Sequence, residues 1–266
     1  MRHRYPHGHH PSVLRSHRWR TVENSAAYLR DRLRPGMDLL DVGCGPGTIT
    51  GDLARRVAPG TVVGVDRAPA VVRAADDAAR REGWPARFEV GEARCLRFPD
   101  GSFDLVHAHQ VLQHLADPVG ALVEMARVCR PGGLVAARDA DYRSFAWYPP
   151  DPALDRWLEL YREVARGDGG QPDAGRHLLA WGHAAGFDDI TATASAWCFA
   201  GPEDRRWWGR LWAERVIESD FAPHALELGL ADPDDLATVA AGWRRWAEDP
   251  DGWFAVTHGE IVCRRR

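Results

Sequence analysis

The amino-acid sequence predicts an α/β protein with a mostly parallel sheet and helices on both of its faces. Two observations carry this prediction. From residue 37 onward, short apolar runs alternate with helical stretches, as in successive βαβ units. The first apolar run, at 39–42, ends in a glycine-rich turn that opens a helix, and such turns are where ligands bind in parallel sheets.

The individual elements follow from apolar spacing and from turn residues. In the front half, the predicted strands are 38–42, 61–65, 87–90, 103–107 and 134–138, and the predicted helices are 25–33, 48–57, 69–82, 110–115 and 118–129. In the rear half, the predicted helices are 172–185, 203–220, 223–228 and 234–248, and the predicted strands are 190–199 and 253–263. Residues 1–11 are predicted to be a solvated arm rather than a metal site built on His7, His9 and His10.

Composition excludes several classes of function. The 34 basic and 38 acidic residues give a net charge of −4 without a dense basic run, so no nucleic-acid partner is expected. Every basic residue is arginine, which excludes a lysine base or Schiff base. The five cysteines form no CxxC pair, and neither a signal peptide nor a membrane-spanning run of about 18 apolar residues is present. We therefore expect a cytoplasmic protein without membrane contact or bound metal.

The strongest functional signal is the segment LLDVGCGPGT at 39–48. Its glycines allow a sharp turn and a close approach to a ligand, and the helix that follows favours a carboxylate at its N-terminus. A nicotinamide dinucleotide fingerprint would require Gly or Ala where Thr48 stands. The spacing therefore disfavours a nicotinamide dinucleotide as the ligand.

Acidic residues follow the next two strands. Asp66 ends the run VVGVD at 62–66, where a carboxylate can accept both ribose hydroxyls of an adenosine, although capping a helix is an alternative role. Glu92 lies in the segment GEA at 91–93 after the third strand, where an acid and a backbone amide can read the adenine edge. The pattern predicts an adenosine-containing cofactor.

These segments, followed by FPDGSFDLV at 98–106 and VCRPGG at 128–133, resemble class I S-adenosylmethionine-dependent methyltransferases. The likeness is nearest to the branch typified by the ubiquinone and menaquinone ring C-methyltransferases, and it covers about residues 37–139. The resemblance implies a Rossmann-like sheet of seven strands in the order 3-2-1-4-5-7-6 with an antiparallel last strand. It also implies S-adenosylmethionine as cofactor and S-adenosylhomocysteine as product.

The resemblance implies roles for the residues that match the family's motifs. Toward the methionine and ribose, it implies contacts from the three turn glycines, with one acid near the methionine amine and another on the ribose: Gly43, Gly45, Gly47, Asp41 and Asp66.

On the adenine side, the resemblance implies contacts from Arg67, Glu92 and Ala93, while His109 and Gln110 border the sulfonium. Residues 16–29, with Arg20, Thr21, Glu23 and Asn24, also resemble the N-terminal helix that closes over the cofactor in some relatives.

The predicted division of the chain has four parts. An arm and closing helix occupy 1–35, the cofactor-binding core 36–200, a helical lid inserted before the last strand 201–251, and that strand 252–266. The insertion is rich in tryptophan, and its indoles either line the substrate site or pack the insertion's own core: Trp207, Trp208, Trp212, Trp243 and Trp246.

The predicted activity is methyl transfer to an oxygen, carbon or nitrogen atom of a small, largely apolar or aromatic molecule, of secondary-metabolite or quinone-like type. Alignment supplies much of the rate of such a transfer. For an oxygen or activated carbon nucleophile, the candidate bases are His114, His109 and His17. Packing or hydrogen bonding is the alternative role for each of them, and also for Asp139, Asp141 and Tyr142, which follow the fifth strand.

Other activities lose support or stay open. The residues at 107–110 read HAHQ, without the N/D-P-P-Y/F motif of base and glutamine N-methyltransferases and without the acidic ligands of metal-dependent O-methyltransferases. Three alternatives remain: a cyclisation or decarboxylation that retains the methyl group, a non-catalytic cofactor-binding module, and a dinucleotide oxidoreductase. A homodimer is also left open.

Overall fold

The structure is a computed structural model that describes residues 10–266. In chain order its strands are β1 (Leu39–Val42), β2 (Val62–Asp66), β3 (Ala86–Val90), β4 (Phe103–His109), β5 (Cys129–Ala140), β6 (Ala146–Tyr148), β7 (Ile190–Phe199) and β8 (Trp253–Arg264). Its α-helices are α1 (Pro11–Arg18), α2 (Val22–Ser25), α3 (Thr48–Val57), α4 (Pro69–Glu82), α5 (Pro118–Val128), α6 (Pro152–Gly167), α7 (Leu178–Ala184), α8 (Pro202–Glu218), α9 (Phe221–Glu227) and α10 (Pro233–Glu248).

All eight strands form one sheet. The order runs β3-β2-β1-β4-β5-β8, with β7 on the far edge of β8. The first five strands are parallel to one another, and β8 is antiparallel to both β5 and β7. The short β6 pairs with β8 beyond the point where β5 ends. With β7 and β8 taken as the sixth and seventh strands, the predicted order and the antiparallel last strand are confirmed.

Alternate residues of the strands face two separate layers. Leu39, Leu105 and Val262 pack against the N-terminal segment and α3, and the predicted packing of residues 25–33 beside the first strand is confirmed. Leu40 and Val106 pack against α5 and α7 on the opposite face. Because both faces are covered, the central strands are continuous apolar runs, as expected for a parallel sheet.

Several predicted elements differ from the structure. The helix predicted at 25–33 is the short α2 followed by a 3-10 helix at Ala27–Arg32, and the helix predicted at 110–115 is only a 3-10 turn at Leu112–His114. The helix predicted at 172–185 is a 3-10 turn at Ala174–His177 that leads into α7. Three further elements, α1, β6 and α6, were not predicted from the sequence. Of the His-rich arm, His7 and His9 lie outside the described residues.

The insertion between β7 and β8 consists of α8, α9 and α10, and it packs with α6 around an aromatic core of its own. Four of the five predicted tryptophans are buried there, and Trp207 is partly buried against it. The indoles of Trp157 and Trp212 meet edge to face at 4.6 Å between ring centroids, a favourable aromatic geometry. None of the insertion's tryptophans lines the cavity described below, so they pack the insertion's core. Within 10–266, no helix is both long enough and apolar enough to cross a bilayer.

Candidate active site

The turn between β1 and α3 is built from glycines with a left-handed backbone. Gly43 and Gly45 have φ values of 69° and 54°, which residues with a side chain rarely adopt. A Cβ at Gly43 would lie 2.3 Å from Cγ2 of Val111, whereas the nearest atom to a Cβ at Gly45 would be Nδ1 of His17, 3.9 Å away. The backbone at Gly45 therefore borders space that a ligand can enter.

Gly47, in the same turn, serves packing. It is the N-cap of α3 with φ 82°, and a Cβ there would lie 2.7 Å from Cζ of Phe88 in β3. Gly47 does not line the cavity. Phe88 excludes a side chain at this position, and the predicted contact of Gly47 with the methionine and ribose stays a prediction.

A cavity of about 160 Å³ lies at the carboxyl ends of the parallel strands, the edge at which such sheets bind ligands. All predicted cofactor residues except Gly47 line it, and so do the three candidate bases. These lining residues are Asp41, Gly43, Gly45, Asp66, Arg67, Glu92, Ala93, His109, Gln110, His114 and His17. The structure thus gathers one site from segments spread over nearly a hundred residues.

The carboxylate of Asp66 lies at the end of β2, beside the glycine turn. Its Oδ1 accepts a hydrogen bond from the backbone N–H of Ala68 at 2.9 Å, and its Oδ2 accepts one from the N–H of Gly45 at 3.2 Å. Each oxygen retains a second lone pair. Asp66 is therefore fixed in orientation and can still accept hydroxyl groups of a ligand.

Beyond Asp66, the cavity is bordered by residues that follow β2 and β3. Arg67 and Glu92 are exposed, and Ala93 is buried between the strand ends. The N–H of Gly91 donates to the backbone oxygen of Asp66 at 3.1 Å, which joins the two strand ends. This part of the site offers backbone and the apolar side chains of Val71 and Ala93 to a flat ligand.

Asp41, at the end of β1, is buried, and each of its carboxylate oxygens is hydrogen-bonded to a side chain. Nδ1 of His107 lies 2.8 Å from its Oδ1, and Thr50 Oγ1 donates to its Oδ2 at 2.5 Å. The sequence analysis did not assign a role to His107. It lies two residues before His109 on β4, and the strand register pairs it with Asp41, so strand alternation is the signal that identifies it.

The N-terminal segment forms the roof of the cavity through Leu14, His17 and Arg20. Thr48 Oγ1 donates to the backbone oxygen of His17 at 3.2 Å. Arg20 Nη2 donates to Oε1 of Gln110 at 2.6 Å. These contacts join the N-terminal segment to the glycine turn and to the end of β4.

Gln110 adopts an unusual backbone conformation. Its φ is 54°, a value uncommon for residues with a side chain and enriched at functional sites. Because its Oε1 accepts from Arg20, its Nε2 is the atom that donates to His258 Nε2 at 2.8 Å. The amide thereby requires a neutral His258, and burial together with Arg138 and Arg20 lowers the pKa of His258 well below its usual range.

The three candidate histidines have different surroundings. Burial, with Arg20 and Arg138 nearby, holds the pKa of His109 well below its usual range. Neither ring nitrogen of His109 has a hydrogen-bond partner among residues 10–266. His114 Nε2 lies 2.9 Å from Gln113 Nε2, and His17 belongs to the roof. His109 is thus a neutral imidazole with unused hydrogen-bonding capacity at the cavity wall.

The polar residues at and after the end of β5 do not line this cavity. Asp139 is fully buried, which raises its pKa to about 7, and its Oδ1 accepts from the backbone N–H of Gln113 at 3.1 Å. Asp141 forms an ion pair with Arg176 at 2.7 Å. The ring of Tyr142 stacks on that of Tyr161 at 4.0 Å between centroids. Their described contacts are structural.

One group of side chains within 10–266 has a spacing compatible with a metal ion, formed by His10, Glu214 and Glu218. None of the three lines the cavity. His10 is the only member of the predicted histidine cluster that the structure describes.

The chain is similar to known methyltransferases in sequence and in fold. Residues 40–137 match the model of the methyltransferase domain family. An uncharacterized methyltransferase of Schizosaccharomyces pombe is 38% identical over 271 residues, covering 98% of this chain and 96% of the relative. A ubiquinone/menaquinone biosynthesis C-methyltransferase of Bdellovibrio bacteriovorus is 34% identical over 102 residues, covering 38% of this chain and 43% of the relative. The crystal structure of the [4+2]-cyclase SpnF has a TM-score of 0.54 at 23% identity, covering 95% of this chain and 79% of that chain.

The full-length relative establishes the family, and the structural likeness shows the fold alone. The resemblance stated from the motifs at 39–48, 62–66 and 91–93 is confirmed. The chain belongs to the class I S-adenosylmethionine-dependent methyltransferases.

Proposed function

We propose that the chain transfers a methyl group from S-adenosylmethionine to an oxygen, carbon or nitrogen atom of a small, largely apolar or aromatic molecule, and that an oxygen is the preferred acceptor. The observation that carries the choice of acceptor is His109, a buried neutral imidazole on the wall of the cavity. A hydroxyl group that is methylated must lose its proton, and a neutral imidazole has a nitrogen lone pair that can accept it.

The residues of the cavity fit the cofactor by their chemistry. The open backbone at Gly45 suits a ligand that runs along the turn, and the oriented carboxylate of Asp66 suits a ribose diol. Asp41 provides a negative charge for an ammonium group, with both of its oxygens held by neighbouring side chains. When bound, S-adenosylmethionine supplies an electrophilic methyl group on a sulfonium. The chain's residues bind and orient the two reactants and exclude water.

His109 is assigned as the proton acceptor because of its position at the end of β4. The resemblance implies that the sulfonium lies beside His109 and Gln110, and both residues line the cavity. His114 and His17 line the same cavity and are the remaining candidates. A neutral base near the acceptor hydroxyl contributes typically about 10²–10⁴-fold to such a reaction.

The preference for a small, largely apolar acceptor comes from the side chains near these histidines. Leu14, Val111 and Leu115 line the cavity beside the end of β4, and apolar walls with few polar groups are typical of small-molecule sites. The N-terminal segment covers part of the site through Leu14, His17 and Arg20, which favours a small molecule as the acceptor. The insertion's tryptophans, which pack their own core, do not contribute to this argument.

In the experiment, the full chain is incubated with S-adenosyl[methyl-¹³C]methionine and a library of phenols, enols and aliphatic alcohols. Reactions that contain the chain and the cofactor but no acceptor serve as blanks. We expect ¹³C-methyl ethers, identified by their NMR shifts, and S-adenosylhomocysteine in equal amount. Labelled carbon–methyl products would contradict the preference for oxygen. Converted products without label would instead support the alternative reaction in which the methyl group is retained.

His109→Gln is the variant that tests the base. Gln keeps an uncharged polar side chain but cannot take up a proton at neutral pH, so we expect the turnover number to fall about 10²-fold or more while S-adenosylhomocysteine affinity stays unchanged. His183→Gln is the matched control, since His183 is exposed on α7. Equal activity of His109→Gln and the parent protein would contradict the assignment of His109.

A further inference from the structure

A row of polar side chains crosses the sheet beneath the N-terminal segment. The strand register pairs His109 with Arg138, Arg138 with Glu260, and Glu260 with Thr193. Glu260 accepts hydrogen bonds from Arg138 Nε at 3.1 Å, Ser195 Oγ at 2.5 Å and Thr193 Oγ1 at 2.7 Å. Both oxygens of its carboxylate therefore accept hydrogen bonds, and the carboxylate neutralises one guanidinium.

Arg138 retains an unused donor. The residue is only 1% exposed, and its Nε and Nη2 both donate to Ser195 Oγ, at 3.2 and 3.1 Å. Its Nη1 has no acceptor among the described residues. Burial lowers the pKa of Arg138 to about 10, so the group stays cationic at neutral pH. A buried charged donor without an acceptor is costly, and a ligand oxygen would remove that cost.

Arg138 lines a second cavity, of about 310 Å³, between the N-terminal segment and β7. Trp19, Ser195 and Trp197 are among its other walls. The carboxylates of Glu23 and Glu260 also line it, but each is paired with arginine, Glu23 with Arg30 and Arg56 and Glu260 with Arg138. Aromatic walls with one convergent cation suit a planar ligand that carries an accepting oxygen.

Trp197 lines the second cavity and also contacts residues of the cofactor cavity. The Cζ atoms of Arg138 and Arg20 lie 5.0 and 5.5 Å from the centre of its ring. Arg20 and His109 line the cofactor cavity, and the ring of His109 lies 5.9 Å from that of Trp197 between centroids. The ring of Trp197 is therefore the contact between the second cavity and the proposed base.

We propose that the second cavity is the subsite for an acidic group of the methyl acceptor, a carboxylate or an ionised phenol or enol on a planar ring, which Arg138 binds with Arg20 across the face of Trp197. This inference rests on the proposed function, because it names the substrate class of the same site. A carboxylate matches a guanidinium by charge and by geometry. The acidic group anchors the acceptor, and its hydroxyl or ring carbon is then presented toward His109.

The test uses binding, so that it does not depend on turnover. Benzoate and its uncharged analogue benzamide are titrated calorimetrically into the full chain, with and without saturating S-adenosylhomocysteine. We expect benzoate to bind about tenfold or more tightly than benzamide, as a charge-assisted bond at a buried guanidinium requires. Protein that bound no S-adenosylhomocysteine would contradict the proposed function, while its benzoate titration would still report on the subsite.

The variants separate the subsite from the stability of the sheet. The double change Arg138→Gln with Glu260→Gln keeps an uncharged hydrogen-bonded pair in place of the ion pair, so that no buried charge is left alone. Arg20→Gln, on the partly buried N-terminal segment, is the second variant if the first does not fold. We expect each to abolish the preference for benzoate, and the double variant, whose two residues do not line the cofactor cavity, to leave S-adenosylhomocysteine affinity within about threefold. Arg264→Gln, at the exposed end of β8, is the matched control and should retain the preference.

Each outcome decides the proposal. Preference for benzoate that is lost in the Arg138 or Arg20 variants and kept in Arg264→Gln supports it. Equal affinity for the two probes, no binding of either, or a preference that survives both the double variant and Arg20→Gln overturns it.

Discussion

Nδ1 of His107 lies 2.8 Å from Oδ1 of Asp41, and both side chains are buried beneath the glycine turn. Together with the hydroxyl of Thr50, this contact fixes the carboxylate that ends β1. The acid proposed to bind the methionine amine is thus oriented from below by a strand neighbour. The arrangement links the packing of the sheet to the affinity for the cofactor.

Replacement of His107 tests this link. In His107→Leu the carboxylate of Asp41 loses a buried hydrogen-bond partner, so we expect a loss of about 1–3 kcal/mol in the free energy of unfolding and about tenfold weaker binding of S-adenosylhomocysteine. His107→Asn keeps a donor near the position of Nδ1 and should retain more of both. Denaturant titration and calorimetry provide the measurements, and equal affinity in the Leu and Asn variants would contradict the orienting role.

Replacement of Asp66 tests the ribose site. Asp66→Ala removes the acceptor of Gly45 N–H and the proposed acceptor of two ribose hydroxyls, each bond contributing about 1.5–3 kcal/mol. We expect S-adenosylhomocysteine affinity to fall about 100-fold or more by calorimetry. Asp77→Ala, an exposed acid on α4, is the control. Unchanged affinity in Asp66→Ala would remove the ribose assignment.

The cofactor half of the site could be predicted from the sequence because each strand, turn and acid is local. The glycine turn at 43–47 and Asp66 are contiguous with the apolar strands that position them, and the structure places them at one sheet edge. Gly47 shows the limit of that reasoning. A ligand and a packed aromatic ring both exclude a side chain, and only the structure shows Phe88 at that position.

The acceptor half depends on residues that are distant in sequence. Arg138, Glu260 and Trp197 meet only because β8 lies between β5 and β7, and no local pattern marks them as neighbours. The helix α6 was missed although its apolar residues have helical spacing, with Trp157, Leu160, Tyr161 and Val164 buried on one face. The tryptophans were ambiguous for a related reason, since an indole-rich helix suits a ligand and a core equally well.

Stability should fall with pH below about 6.5 because of His109 and His258. The pKa of each is lowered in the folded chain, so between that lowered value and the ordinary value of about 6.5 the unfolded chain binds more protons than the folded one. The free energy of unfolding therefore rises with pH across this window and decreases as the pH falls through it. His258→Gln should flatten the slope in urea titrations between pH 5 and about 7. A parallel slope in parent and variant would show that His258 does not contribute.

Ionisation of Asp139 affects stability in the opposite direction as the pH changes. Burial raises its pKa to about 7 from the usual 3.8, so the folded chain binds more protons than the unfolded one between these values. Its ionisation therefore costs stability as the pH rises toward 7. Asp139→Asn retains an oxygen for the N–H of Gln113 and removes the charge. We expect it to be more stable than the parent at pH 8, by about 1–3 kcal/mol, and nearly equal at pH 4. A variant destabilised equally at both pH values would show that the carboxyl is required for packing.

Arg215 on α8 holds the roof of the cavity. Its Nη2 donates to Ser16 Oγ at 2.9 Å and to the backbone oxygen of Ser12 at 3.3 Å, and its Cζ lies 4.5 Å from the centre of the Trp212 ring. In Arg215→Met the apolar stem still covers Trp212, but the two bonds to α1 are lost. We expect faster amide hydrogen exchange in residues 12–18 and faster release of S-adenosylhomocysteine in stopped-flow chase experiments, since a segment with fewer anchoring contacts opens more often. Arg210→Met, an exposed change on the same helix, should leave both rates unchanged. If exchange in α1 rose without faster release, the roof would not control exit of the product, and the insertion would support α1 only as a scaffold.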